Sequence, residues 1–167
     1  MQGYSKFICE DCEAVIYIKN ISIKMVEEKL CSEGHKETGG ILVGSYSSSL
    51  RDVYINEFSD APEDSKAGFS WFVRGVKGLR EYLKKKWNYA EEYYLGEWHF
   101  HPANVPEASL TDINQLKHIA KDRRFNCQEP VLCIFSKSTT GFNITIKLLI
   151  KSKVYDFHGE LLIERDY

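Results

Sequence analysis

Three segments of the chain carry apolar residues at spacings of three and four positions, which predicts amphipathic helices. The first begins at Ser22, a residue type that caps helix N-termini, and ends at Gly34. The second spans residues 74–88, and the third runs from Ser109 to about residue 124. The residues expected to face the core are, in chain order, Ile23, Val26, Leu30, Val76, Leu79, Leu83, Trp87, Ile113, Leu116 and Ala120.

Short segments rich in β-branched and aromatic residues lie between and after these helices, and they predict strands. They cover residues 14–18, 39–44, 53–58, 95–101, 131–135, 142–150 and 154–163. No repeat or linker interrupts the chain, so we expect a single domain over residues 1–167. Strands interspersed with helices predict an α/β fold, with a mixed β-sheet flanked by about three helices.

Composition narrows the classes of partner. The net charge of −2 gives no reason to expect a nucleic acid, and we interpret Lys84–Lys86 as a solvated helix face. No apolar run approaches the roughly 20 residues that span a bilayer. Residues 1–7 lack the apolar block of a secretory signal. We therefore expect no membrane partner and a cytoplasmic location.

The five cysteines do not predict a disulfide framework, because their number is odd and the chain is large enough to fold without one. Cys9 and Cys12 have the spacing of half a zinc knuckle. No second close pair follows, since Cys127 and Cys133 stand six positions apart. We expect reduced thiols and no second zinc site.

The strongest chemical signal is the pair His99 and His101. Side chains alternate faces along a strand, so both imidazoles project from one side and can hold one metal ion. Pro102 ends the strand because it has no amide hydrogen to donate. Ser109 then caps a helix, and Asp112 in its first turn can supply a third ligand. Three protein ligands leave a fourth position for water, as in catalytic zinc sites.

Each part of this pattern has a plain structural alternative. A His-x-His pair on a strand is more often a solvated polar face than a metal site. Ser109 with Asp112 matches a helix cap followed by an acid that the helix dipole favours. The four residues together, at this fixed spacing, favour a metal site over these structural alternatives. Such a combination should arise by chance on the order of once in a thousand chains of this composition.

Hydrolysis at a zinc site also requires a base, and two glutamates are candidates. Glu97 shares the strand parity of the histidines and could be the base, an outer partner of a ligand or a solvated side chain. Glu37 precedes a glycine-rich strand where substrate could approach the backbone. Spacing alone does not choose between them.

The chain resembles the JAB/JAMM (MPN-plus) zinc metalloproteases in three segments: Glu37–Gly40, His99–Pro102 and Ser109–Asp112. That family usually has serine or threonine between the histidines, where this chain has Phe100. Strand parity directs Phe100 away from the metal, so this departure concerns packing more than chemistry. The resemblance implies the MPN/JAB fold for most of the chain.

The same resemblance implies a role for each residue of the pattern. Zinc and a water would be held by His99, His101 and Asp112. Glu37 would act as general acid and base on that water, and Ser109 would steady the oxyanion. Glu97 would keep only a supporting role.

The resemblance also implies a substrate: a peptide or isopeptide bond after the C-terminal residue of a ubiquitin-like protein. Among small bacterial members, the chain most resembles the deconjugating peptidases of CBASS anti-phage operons. There an E1/E2-like ligase attaches a cGAS-like nucleotidyltransferase to targets, and the peptidase would reverse the linkage. The conjugate would then be the substrate, with the ligase and the nucleotidyltransferase as partners.

Three alternatives belong to other functional classes. A maturation protease for a ubiquitin-like sulfur carrier would share every catalytic residue. A non-catalytic MPN scaffold typically lacks a ligand or the glutamate, whereas all five positions are filled here. A zinc nucleobase deaminase also uses a glutamate, but the chain has no Pro-Cys-x-x-Cys segment to supply its remaining ligands.

Overall fold

A computed structural model of the chain describes residues 3–33, 35–103 and 105–160. The elements, in chain order, are β1 (Tyr4–Ile8), β2 (Val15–Lys19), α1 (Asn20–Glu33), β3 (Thr38–Tyr46), β4 (Asp52–Phe58), β5 (Lys66–Ala67), β6 (Phe72–Val73), α2 (Leu79–Ala90), β7 (Tyr93–His101), α3 (Leu110–Lys121), β8 (Val131–Ser138), β9 (Gly141–Ile150) and β10 (Lys153–Glu160). Gly34 and the predicted strand residues 161–163 lie outside the described residues. Within the described ranges, none of the helices has the length and apolar character needed to cross a membrane.

The predicted arrangement of a mixed sheet flanked by helices is wrong, because the main sheet closes on itself. Its strand order is β1-β10-β9-β8-β7-β3-β4-β2, and β2 pairs with β1 to complete a barrel. The β2/β4 and β7/β8 pairs are parallel, and the other pairs are antiparallel. Closure depends on β1, a strand of five residues that the sequence pattern did not reveal. Buried and more exposed positions alternate along β1, and only Ser5 and Phe7 are buried.

Large side chains fill the barrel interior. Trp98, Phe100 and Phe135 are almost completely buried, and they belong to one apolar cluster with residues of most other strands. Phe100 packs edge-to-face on Phe142, with ring centroids 6.1 Å apart. Phe100 therefore packs in the interior of the barrel. It lies on the opposite face of β7 from its two neighbouring histidines, as strand parity predicts.

Each of the three helices departs from its predicted boundaries, and α3 ends at Lys121, about three residues before the predicted end. α1 begins at Asn20, two residues before the predicted cap, and the Ser22 hydroxyl donates instead to the carbonyl oxygen of Asn56. α2 begins at Leu79 rather than near residue 74, because Gly78 has a left-handed φ of +79° that interrupts a helix. Val76 is 69% exposed and does not face the core.

The third helix packs on the outside of the barrel. Leu116 of α3 joins Leu132 and Ile134 of β8 and Leu149 of β9 in a second buried cluster. This contact holds the first turn of α3 beside the C-terminal end of β7. The ends of two rigid elements therefore meet at the place where the sequence predicts a metal.

Candidate metal centre

The structure brings His99, His101 and Asp112 together, with one potential ligand atom from each lying within 4.8 Å of the others. Nδ1 of His99 lies 3.1 Å from Oδ1 of Asp112, and Nε2 of His101 lies 3.7 Å from Oδ2. Two imidazoles and a carboxylate are a donor set that suits zinc, so these residues fit a metal site. Among the described residues, no other group of three such side chains is close enough to hold an ion.

A reciprocal helix cap fixes the carboxylate of Asp112. The backbone amide and the hydroxyl of Ser109 each donate to Oδ2 of Asp112 at 2.7 Å, and the amide of Asp112 donates to the Ser109 hydroxyl oxygen at 3.2 Å. Burial by itself raises the pKa of Asp112, but hydrogen bonds from His99 and Ser109 outweigh it and lower the pKa to about 2. At neutral pH the carboxylate is therefore ionised, as a metal ligand must be.

The two imidazoles are held by different partners. Nδ1 of His101 lies 3.3 Å from the carbonyl oxygen of Val105, which can only accept, so Nε2 is left to face Asp112. Burial lowers the pKa of His99, yet Asp112 and Glu97 together raise it to about 9. The raised pKa favours the imidazolium form of His99, and a metal ion would compete with a proton for the ring nitrogen.

Glu37 lies immediately before β3 and lines the same cleft as the three potential ligands. Its backbone amide donates to the carbonyl oxygen of Gly68 at 3.0 Å, which ties it to the β5–β6 hairpin. Burial raises the pKa of the Glu37 carboxyl above its ordinary value, and the charge of Asp112 adds to this while His101 opposes it. A carboxylate with a raised pKa, open to a cleft, is suited to accept and return a proton.

Glu97 differs from Glu37 in being buried and fully engaged. Its side chain is 4% exposed and forms an ion pair with Arg74 at 2.8 Å. Although burial raises the pKa of Glu97, His99 and Arg74 bring it below its ordinary value. The structure therefore leaves the Glu37 carboxylate open to the cleft and encloses Glu97 beside His99. Arg74 was missed in the sequence because no local pattern pairs it with a residue 23 positions away.

The cleft at these residues has a volume of about 810 Å³. One wall is the β5–β6 hairpin, where Phe69 is 70% exposed and Trp71 is 51% exposed. Phe72 of this hairpin packs edge-to-face on the His99 ring, with centroids 5.8 Å apart. A second cleft of about 830 Å³ lies between α1 and α2, but it contains none of the clustered ligands, so chemistry rather than volume identifies the site.

Comparison with known proteins gives three findings. The family model described as prokaryotic homologs of the JAB domain matches residues 23–146. A protein named CD-NTase/cGAS isopeptidase, from Enterobacter hormaechei subsp. hoffmannii, is 39% identical over 135 residues, which cover 81% of this chain and 74% of that protein. The solution structure of a Desulfitobacterium hafniense protein superposes with a TM-score of 0.59 and covers 84% of this chain and 88% of its own. At 18% identity that likeness concerns the fold alone.

Proposed function

The chain belongs to the family of prokaryotic homologs of the JAB domain, and on this premise we propose that it is a zinc-dependent isopeptidase. One observation carries the proposal: His99, His101 and Asp112 meet in a cleft that Glu37 also lines. A hydrolytic zinc site requires this combination, three protein ligands and a nearby base outside the ligand set. The 39% identical relative that is named an isopeptidase supports the same reaction class.

In this proposal zinc, held by the two histidines and Asp112, would polarise the scissile carbonyl and lower the pKa of water toward about 7. Glu37 accepts a proton from the attacking water and delivers it to the leaving amine as the carbon–nitrogen bond breaks. The products are a free carboxylate and a free amine. No covalent bond forms between substrate and protein, so the rate depends on how Glu37 is placed and on how the developing oxyanion is stabilised.

Ser109 is the protein group that we assign to the oxyanion. Its hydroxyl donates to Asp112 within the helix cap, so during the reaction the hydroxyl hydrogen must turn toward the carbonyl oxygen. A hydroxyl can do so because its hydrogen rotates freely, while the Ser109 amide keeps its own bond to Asp112.

We expect Ser109→Ala and Ser109→Gly to reduce kcat by about a hundredfold or more, because both remove a donor to the oxyanion. The two variants differ in stability, since alanine at an N-cap costs about 1 kcal/mol and glycine only a few tenths. Rates of conjugate cleavage combined with urea unfolding separate the two roles. Parent activity in a folded Ser109→Gly variant would restrict Ser109 to capping the helix.

The proposed substrate is an isopeptide bond after the C-terminal residue of a conjugated nucleotidyltransferase or a ubiquitin-like protein, so that the enzyme reverses E1/E2-type conjugation. The name of the relative, which refers to a CD-NTase/cGAS isopeptidase, supports the first of these substrates. The exposed aromatic side chains of the hairpin form one wall of the cleft, where they could contact a substrate tail.

A direct comparison of substrates tests the assignment. The zinc-loaded protein is incubated with a CD-NTase C-terminal tail joined to a lysine side chain and, separately, with a ubiquitin-like sulfur carrier extended by a short peptide. Mass spectrometry identifies the bond that breaks. We expect faster release from the lysine conjugate. Cleavage of the extended carrier alone would make the protein a maturation protease, and cleavage of neither would contradict the proposed reaction.

A further inference from the structure

Arg74 and Glu97 form a buried ion pair beside the proposed metal ligands. The two side chains are only 9% and 4% exposed, and their charged groups lie 2.8 Å apart. Burying two charges carries a desolvation cost that their mutual attraction often fails to recover, so such a pair is weak support for stability alone. Because Glu97 lies next to His99, the ion pair can instead act on the orientation of that ring.

The two carboxylate oxygens of Glu97 have different partners. Oε1 accepts from Nε of Arg74 at 2.9 Å, lies 2.8 Å from Nη2, and is 3.4 Å from the Tyr94 hydroxyl. Oε2 is turned toward His99, whose Nε2 lies 3.7 Å away. Two N–H groups of the guanidinium thus hold Oε1 in place, and Oε2 is left facing His99, a potential metal ligand.

A distortion in β7 makes this arrangement possible. The register between β3 and β7 shifts after Leu42, so Leu42 pairs with Gly96 and Val43 pairs with Tyr94. The bulge lets the Tyr94 hydroxyl reach the Glu97 carboxylate although the two residues are three positions apart, a spacing that regular alternation would place on opposite faces. Gly96 is required here, because its φ is +147° and a Cβ would lie 1.9 Å from the carbonyl oxygen of Val131.

Arg74 itself is anchored to the hairpin that walls the cleft. It follows β6 directly, and its Nη1 donates to the carbonyl oxygen of Gly75 at 2.7 Å. Just beyond, the carboxylate of Asp64 accepts from the amides of Val76 and Lys77 and holds this segment in place. Arg74 therefore joins two parts of the site, the hairpin on one side and His99, through Glu97, on the other.

We propose that Arg74 is a positioning residue: through Glu97 it fixes the orientation of the His99 ring for metal binding and couples the β5–β6 hairpin to the metal centre. A histidine that binds a metal through one ring nitrogen usually donates from the other to a carboxylate or carbonyl, which sets the tautomer and the ring angle. Glu97 provides that carboxylate, and Arg74 keeps it from rotating. The inference rests on the proposed metal site.

Zinc affinity of the purified full chain, measured by competition with a chromogenic chelator, tests this role independently of catalysis. We expect Arg74→Met to weaken zinc binding about tenfold to a hundredfold, the usual effect of losing an outer partner of a ligand. Arg74→Lys should lose less, because an ammonium restores the charge without the two-pronged grip. Lys77→Met, which removes the exposed ion pair with Glu63 in the same segment, is the matched control and should bind zinc like the parent.

Glu97→Gln provides a second test in case Arg74→Met does not fold. Its amide oxygen still accepts from Arg74, but the oxygen that faces His99 is replaced by an amide nitrogen, which is a donor. We expect about a tenfold loss of zinc affinity. Parent affinity in Glu97→Gln, or in a folded Arg74→Met variant with only a lowered thermal midpoint, would overturn the positioning role. Failure of the parent to bind zinc would instead contradict the metal centre itself.

Discussion

Glu37→Gln is expected to reduce turnover by about a hundredfold to ten-thousandfold while zinc stays bound, because the substitution removes only the group that carries the proton. Glutamine keeps the size of glutamate and does not disturb the three ligands. The burial that raises the pKa of Glu37 makes the carboxylate a better base in the parent, and an amide has no such function. The measurement is the initial rate of conjugate cleavage together with the zinc content of each preparation.

A matched control for this substitution is Glu63→Gln. Glu63 is an exposed carboxylate whose ion pair with Lys77 lies on the surface, and its loss should leave both rate and zinc content unchanged. If Glu37→Gln cleaves at the parent rate, Glu37 is not the base. Glu97 would not be a simple replacement, since Arg74 already engages one of its two oxygens.

Asp112→Asn is expected to lose zinc and activity together. The ionised carboxylate is replaced by a neutral amide, which is a poor ligand for zinc in this donor set. The loss of zinc affinity should exceed the roughly tenfold to hundredfold expected for an outer partner. The helix should persist, because the amide oxygen of asparagine can still accept from the Ser109 amide.

The control for Asp112→Asn lies at the other end of the same helix. Asp122 follows α3 and pairs with the exposed side chain of Arg124, so Asp122→Asn removes a carboxylate without touching the site. Circular dichroism reports the helix, and equilibrium dialysis reports the zinc. An Asp112→Asn variant that retained zinc and activity would reduce Asp112 to a capping residue.

The parts of the site that lie close together in the chain could be predicted from the sequence. His99 and His101 share a face because they are two residues apart on one strand, and this follows from strand geometry alone. Asp112 stands three residues after Ser109, and this spacing predicts a reciprocal helix cap that fixes the Asp112 carboxylate. The shared face of the histidines and the helix cap are local relations, whereas the approach of Asp112 to the histidines depends on the packing of α3 against β8 and β9.

Relations between distant segments could not be predicted in the same way. The barrel closes because β1 pairs with β10 from the far end of the chain, and no periodicity in a five-residue strand specifies that partner. The helical pattern wrongly extended back to Arg74, because Val76 continues the apolar spacing of α2 although it is exposed. The left-handed backbone at Gly78 sets the N-terminal boundary of α2. Arg74 therefore lies outside the helix, where its side chain pairs with Glu97.

The choice between Glu37 and Glu97 shows the same limit. Spacing favoured neither residue, because Glu97 shares the strand parity of the histidines and Glu37 precedes a glycine-rich strand that substrate could approach. In the structure the difference is burial and pairing: Glu97 is enclosed with Arg74, whereas Glu37 is half-buried and lines the cleft. From the sequence, only the family resemblance favoured Glu37, because the difference in burial and pairing depends on the fold of the hairpin between the two glutamates.

Elemental analysis of the parent and Asp112→Asn proteins, purified side by side and assayed on the same conjugate, decides whether hydrolysis depends on a bound metal. We expect about one zinc ion per active parent chain, as in a catalytic site with three protein ligands. Asp112→Asn should contain almost no zinc and be inactive. A parent that cleaves the conjugate at full rate without bound metal would contradict this dependence.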